Sequence, residues 1–302
     1  MEAITLKDIN KLISVRPPYN SLEKITLDDN RLTAIAPVQQ FTALEAQPIT
    51  SAEAARHLAI LGSIATAFIN PKKERHYYLA SNGKFRRLAK NESIAVESKF
   101  LPVEASAQIT GKRSARALTR IFTPDFRPLI EFDVGYHMVP AKIFERGKTP
   151  QVTLEDISDP YNDQLELKEL VIKERTLTAT IGAVELQYCS GHFRNYPAMP
   201  IGFLMSSMVN AAGRLLRNMT GLANFQYLVQ SAESHAEELG FVGEIVDLTI
   251  EFIPTDTATY HFHCEAKVRN SDKVIGILDL SLAALTPAMV REESREKALA
   301  AV

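Results

Sequence analysis

His192 is the residue whose neighbours best equip it to move a proton. It stands in the segment Gly191-His192-Phe193-Arg194-Asn195-Tyr196-Pro197-Ala198-Met199-Pro200, which leads straight into an apolar stretch of helical spacing. An imidazole titrates near neutral pH and can act as a general base. Pro197 and Pro200 restrict φ and stiffen the loop, and Pro200 immediately precedes the first helical turn. The N–H groups of Ile201 and Gly202 then fall at the positive end of a helix dipole, where they can polarise a carbonyl. A base beside a polarised carbonyl can remove the proton from the adjoining carbon. Tyr196 and Tyr188 flank the loop and are expected to shape the pocket.

His-Phe, a proline five residues after the histidine, then Met-Pro and a helix start together resemble the active-site loop of the β-hydroxyacyl thioester dehydratases of the hotdog superfamily. The resemblance in motif covers the loop and the beginning of the helix. It implies an α+β class, specifically a tandem double hotdog with two antiparallel sheets, each wrapped round a long central helix. It also implies a 3-hydroxyacyl-[acyl-carrier-protein] dehydratase-like lyase of fatty-acid or polyketide-type biosynthesis. The partner would be an acyl carrier protein or CoA thioester substrate, and no cofactor is called for. Thioester hydrolysis or isomerisation at the same loop stays open, as does a non-catalytic acyl- or carrier-binding module.

The chain departs from that family at the acid. The dehydratases carry a carboxylate on the central helix fourteen residues after the histidine, and here that position is Ser206, expected only to line the substrate. In tandem arrangements the halves can divide the labour, which turns attention to the helix of the first half. Aligning Gly62 with Gly213 puts Ala55 at the acid position, with Glu53, Arg56 and His57 around it. Glu53 and His57 are four apart and share a helical face, so they are the expected acid pair. Glu53 also reads as a first-turn dipole partner, His57 as a core histidine, and Thr50 or Ser51 as the N-cap. The segment from Phe41 to Thr50 has Pro48 but no histidine, so one active site per chain is expected.

The elements that must position these residues repeat in order. Asn30–Ile35 resembles Arg175–Thr180 as an alternating strand run, and Ala52–Phe68 resembles Gly202–Arg217 as a helix apolar on nearly every face. Tyr78-Leu79 matches Tyr227-Leu228, and Phe100-Leu101-Pro102 matches Phe252-Ile253-Pro254, each read as closing a strand. Further strands are expected at Glu97–Phe100, Ser106–Ile109, Ala115–Phe122 and Leu129–Val139, then at Ile245–Phe252, Thr259–Val268 and Val274–Ala284. The resulting division is an N-terminal unit over 1–145, a polar linker over 146–169, a C-terminal unit with the catalytic loop over 170–290, and a tail over 291–302.

Totals narrow the field. Two cysteines, Cys189 and Cys264, are too few for a disulfide framework. His261 and His263 alternate with Cys264 along a strand, which sets them on the face opposite its thiol, so no metal site is expected there. A net charge of -2 argues against nucleic acid as a partner. No apolar run reaches membrane length and the amino end lacks a signal-peptide core, so the expectation is a cytoplasmic protein, either a monomer of fused units or a homodimer. The basic clusters Gly111–Arg116 and Lys84–Lys90 read as solvated faces, with docking of a pantetheine phosphate or an acidic carrier as the alternative.

Overall fold

The computed structural model describes residues 2–40, 44–88, 98–146, 148, 159–193, 195–221 and 225–285. In the first part of the chain these form β1 (Glu2–Ala3), α1 (Leu6–Leu12), β2 (Glu23–Asp28), β3 (Arg31–Pro37), α2 (Ser51–Ile69), β4 (His76–Arg87), β5 (Phe100–Gly111), β6 (Ser114–Phe122), β7 (Pro128–Pro140) and α3 (Ala141–Phe144). The second part forms β8 (Lys168–Lys173), β9 (Thr176–Ala183), α4 (Ile201–Thr220), β10 (Gln226–Ala236), β11 (Ile245–Ile253), β12 (Tyr260–Val268) and β13 (Val274–Leu285).

The strands follow from period-2 patterning. In β6, Ala115, Ala117, Thr119 and Ile121 are buried while Arg116, Leu118 and Arg120 point outward. The helices are the reverse case. α2 is buried along nearly its whole length, starting from a Thr50 cap whose side chain accepts the Glu53 amide. It has the length and apolarity of a membrane-crossing helix, yet it is mostly enclosed by the fold. α4 ends at Gly221 in the left-handed conformation.

The expected two sheets are one. All thirteen strands form a continuous antiparallel sheet in the order β1-β2-β3-β5-β6-β7-β4-β10-β13-β12-β11-β9-β8. The join is the β4–β10 pair, from Arg86 opposite Ser231 to Asn82 opposite His235. Pairing the two inner edges satisfies backbone groups that separate sheets would leave open. Either side of that seam the order repeats, β3-β5-β6-β7-β4 against β9-β11-β12-β13-β10. α2 lies against β5 and β6, α4 against β12 and β13, and the two helices pack on each other. The class is therefore a hotdog-like α+β fold.

Several expectations shift. The strands at Glu97–Phe100 and Ser106–Ile109 are one strand, β5, with Glu97 outside the described residues. Phe100–Pro102 opens that strand instead of closing one. Pro102 pairs with Ile35 on β3 but precedes the β6 ladder, which starts at Val103 opposite Ile121, so its missing N–H is needed on one side only. The basic clusters are largely neutralised: Lys84 pairs with Glu233, Arg86 with Glu131 and Arg116 with Asp133. Lys90, much of the 146–169 segment and the tail after Leu285 lie outside the described residues. Within that segment the short turn Pro160–Asn162 delivers Tyr161, 1% exposed, into the interior.

Candidate active site

His192 is held from both sides of the chain. Its amide donates to the Cys189 carbonyl and its backbone bridges Val15. Gly191 makes that contact possible. It sits at φ +74°, and a Cβ there would fall 2.4 Å from the Arg16 carbonyl oxygen. The Arg16 amide donates to the Gly191 carbonyl at 2.8 Å, so the turn from Arg16 to Tyr19 clamps the loop.

The imidazole is buried, stacked on Phe193 and edge-on to Tyr19. Its Nδ1 lies 2.8 Å from the Ala198 carbonyl oxygen. A carbonyl only accepts, so Nδ1 carries the proton and Nε2 is left with its lone pair. Burial, opposed only by that hydrogen bond, lowers its pKa from 6.5 to about 4. At neutral pH the ring is an unprotonated base.

The ring forms part of the wall of a cavity with Tyr78, Tyr136, Met199 and Ile201. Glu238 is the carboxylate among the residues lining it, and it is exposed. A second, almost wholly apolar cavity lies between α2 and α4. Tyr19, Ala59, Ala80, Ile201 and Ala236 line both cavities, so the two adjoin, and a path from one to the other would pass Tyr19.

The amino end of α4 reaches this path. Its ladder begins with Phe203 and Leu204 donating to the Pro200 carbonyl, so the Ile201 and Gly202 amides lie ahead of it. Gly202 lets the helices close up there, since a Cβ would sit 3.2 Å from the Arg56 Cβ. The Gly202 amide faces the Tyr19 hydroxyl, and burial nevertheless pushes that phenol up to about 12.

His192 and Ile201 line one cavity and Gly202 lines the neighbouring one with Ile201, while the other expected residues lie elsewhere. Ser206 is buried on α4 beside Gln164, whose Nε2 is 3.5 Å from its hydroxyl, and it lines neither cavity. Tyr196 is half-buried against Phe144, also away from both. Glu53 accepts the Gln39 and Gln40 amides at 2.6 and 3.0 Å, with His57 Nε2 at 3.4 Å. His57 is fully buried, and desolvation followed by the nearby Arg56 charge lowers its pKa. Neither Glu53 nor His57 lines either cavity. Arg56, one turn after Glu53 and next to His57, does. Tyr19 and Arg56 are the residues the sequence reading passed over. An arginine in an otherwise apolar helix was a legible signal, but nothing local to Pro17-Pro18-Tyr19 marks a return to the second half.

No family model and no curated protein matches the chain. Solved structures do. An acyl-CoA thioesterase II, TesB2, from Mycobacterium marinum matches with a TM-score of 0.51 at 9% identity, over 89% of this chain and 96% of that one. The tesB protein of Mycobacterium avium subsp. paratuberculosis gives 0.51 at 9%, over 87% and 96%. A conserved hot dog protein of unknown function from Alicyclobacillus acidocaldarius gives 0.53 at 8%, over 90% and 100%.

These matches correct the expected dehydratase-like lyase. The M. marinum neighbour is named as a thioesterase, a hydrolase. The geometry agrees, because elimination needs an acid for the departing hydroxyl, while the dehydratase acid position is Ser206, turned toward Gln164, and Glu53 is enclosed by backbone amides. The likeness over most of both chains establishes the architecture: this chain has the hotdog fold.

Proposed function

We propose that this protein is a double hotdog that hydrolyses an acyl thioester of CoA or of an acyl carrier protein. The observation that carries the reading is His192: an unprotonated Nε2, fixed by the Nδ1–Ala198 hydrogen bond, in the wall of a cavity that ends at the first turn of α4. Nε2 takes a proton from water as its oxygen bonds to the thioester carbon. In this reading the Ile201 amide and the Tyr19 hydroxyl, which the Gly202 amide faces, meet the developing negative oxygen. The C–S bond then breaks, and the proton held on His192 passes to the departing thiolate.

The acyl group occupies the apolar path between α2 and α4. Its two cavities measure about 60 and 80 Å³, and a water-sized group takes roughly 10–15 Å³ on that measure. A short acyl chain therefore fits without rearrangement, and a long one does not. The test is thiol release from a graded series of acyl-CoA and acyl-carrier-protein thioesters by the wild type and by His192→Gln. Turnover of short acyl thioesters that His192→Gln abolishes supports the assignment. Binding without turnover by the wild type overturns it and leaves an acyl-binding module.

A further inference from the structure

The cavity between the two helices is mostly apolar; Arg56 is the charged residue of its wall, and Tyr19, Ser51, Ser81, Asn82 and Ser234 are the other polar ones. The residue is 4% exposed. Its Nη2 donates to Gln39 Oε1 and lies 3.3 Å from His57 Nε2 and 3.9 Å from Glu53 Oε1. Nε and Nη1 are buried with no hydrogen-bond partner. The rings of Tyr161 and Tyr19 stand 5.0 and 6.0 Å from the guanidinium carbon and offset only part of that deficit.

Buried donors without partners are costly and rare. If packing were the only demand, a methionine would fill this position beside Ala55 and Met205 without that cost. The arrangement instead suits a ligand that brings an oxygen to Arg56. Its charge is already set against Glu53, so a second carboxylate would leave an uncompensated negative charge in an apolar space. A hydroxyl would need an acceptor for its own proton. A ketone oxygen accepts and asks for nothing in return.

We infer that Arg56 reads an oxo oxygen on the acyl chain, so that the substrate class is an oxoacyl thioester in preference to the plain saturated one. This rests on the thioester reading above. Tyr19 stands between His192 and Arg56, so the oxo group lies beyond the thioester carbonyl, along the chain.

The test uses alkyl-CoA thioethers, which cannot be hydrolysed, of equal chain length, either saturated or with one oxo group moved stepwise along the chain. Binding is measured by titration calorimetry on the full-length protein. At one position the oxo ligand is expected to bind at least about tenfold tighter, as one hydrogen bond to a charged donor would give. Arg56→Met removes the preference while still binding the saturated ligand, and Arg56→Lys weakens it. Equal binding of saturated and oxo ligands at every position overturns the inference on the wild type alone, whether or not the variants fold. Equal losses for both ligands in Arg56→Met overturn it too, because Arg56 would then serve the common part of the molecule. Binding of no ligand sinks this inference together with the thioester reading. A clear oxo preference in a protein that hydrolyses nothing sinks only the reading of catalysis.

Discussion

The ring of Tyr19 meets the imidazole of His192 edge to face, with 4.9 Å between centroids, so the first half of the chain packs against the candidate site's imidazole, which comes from the second. The Tyr19 hydroxyl faces the Gly202 amide, and Tyr19→Phe removes that group while keeping the ring. The expected result is a fall in kcat of about a hundredfold, in the range for losing one oxyanion donor, with KM and melting temperature little changed. Steady-state thiol release with an acyl-CoA checks it, and an undiminished kcat would place the hydroxyl outside the reaction.

His192→Gln should lower kcat by roughly two to four orders of magnitude, the usual share of a general base. For the wild type, the acid limb of kcat/KM should fall near pH 4, because burial holds the pKa of the ring there. The same burial makes stability depend on pH. Above about 6.5 the ring is neutral whether folded or not and contributes nothing. Between about 6.5 and 4 the unfolded chain takes up a proton that the folded one refuses, so stability falls as pH falls, by an amount approaching about 3 kcal/mol. Urea denaturation across that window should show a shallower decline for His192→Gln. An equal slope in both proteins would mean the folded ring is protonated normally.

Glu53 holds the turn at Gln39 and Gln40 by accepting both amides. Glu53→Ala leaves two buried donors and the Arg56 charge without their partner, and should cost about 3 kcal/mol or more of stability. Glu53→Gln keeps one acceptor oxygen and should cost less while retaining most of the turnover. Chemical denaturation alongside kinetics separates this from a catalytic role: a stable Glu53→Gln protein whose kcat falls a thousandfold would make Glu53 a participant in the chemistry.

Gly191→Ala should be worse than an ordinary loop substitution. The φ of +74° disfavours any side chain, and the new methyl would press on the Arg16 carbonyl at 2.4 Å. We expect a loss of about 2 kcal/mol or more together with a kcat decrease, since displacing the turn moves His192 off Val15. Gly221→Ala is the control. Gly221 also has positive φ, but nothing lies within 4 Å of an added Cβ, so it should lose stability with kcat preserved. Matching kcat losses in the two variants would show that the clamp does not position the base.

Local pattern was enough for the elements. Alternation in β6, β7, β11, β12 and β13, and the all-round apolarity of α2 and α4, are written in consecutive residues, because strand and helix periods depend on near neighbours only. The loop around His192 and the helix start at Pro200 were legible for the same reason. What local pattern could not say is which edges meet. The β4–β10 seam that makes one sheet of two halves depends on backbone groups with no residue-specific mark. Nor could it say that Tyr19 would arrive beside His192, or that Arg56 would face a cavity while Glu53, one turn away, turned to the Gln39–Gln40 amides. Those contacts join residues far apart in the chain, and their geometry exists only once the helices are packed against each other inside the sheet.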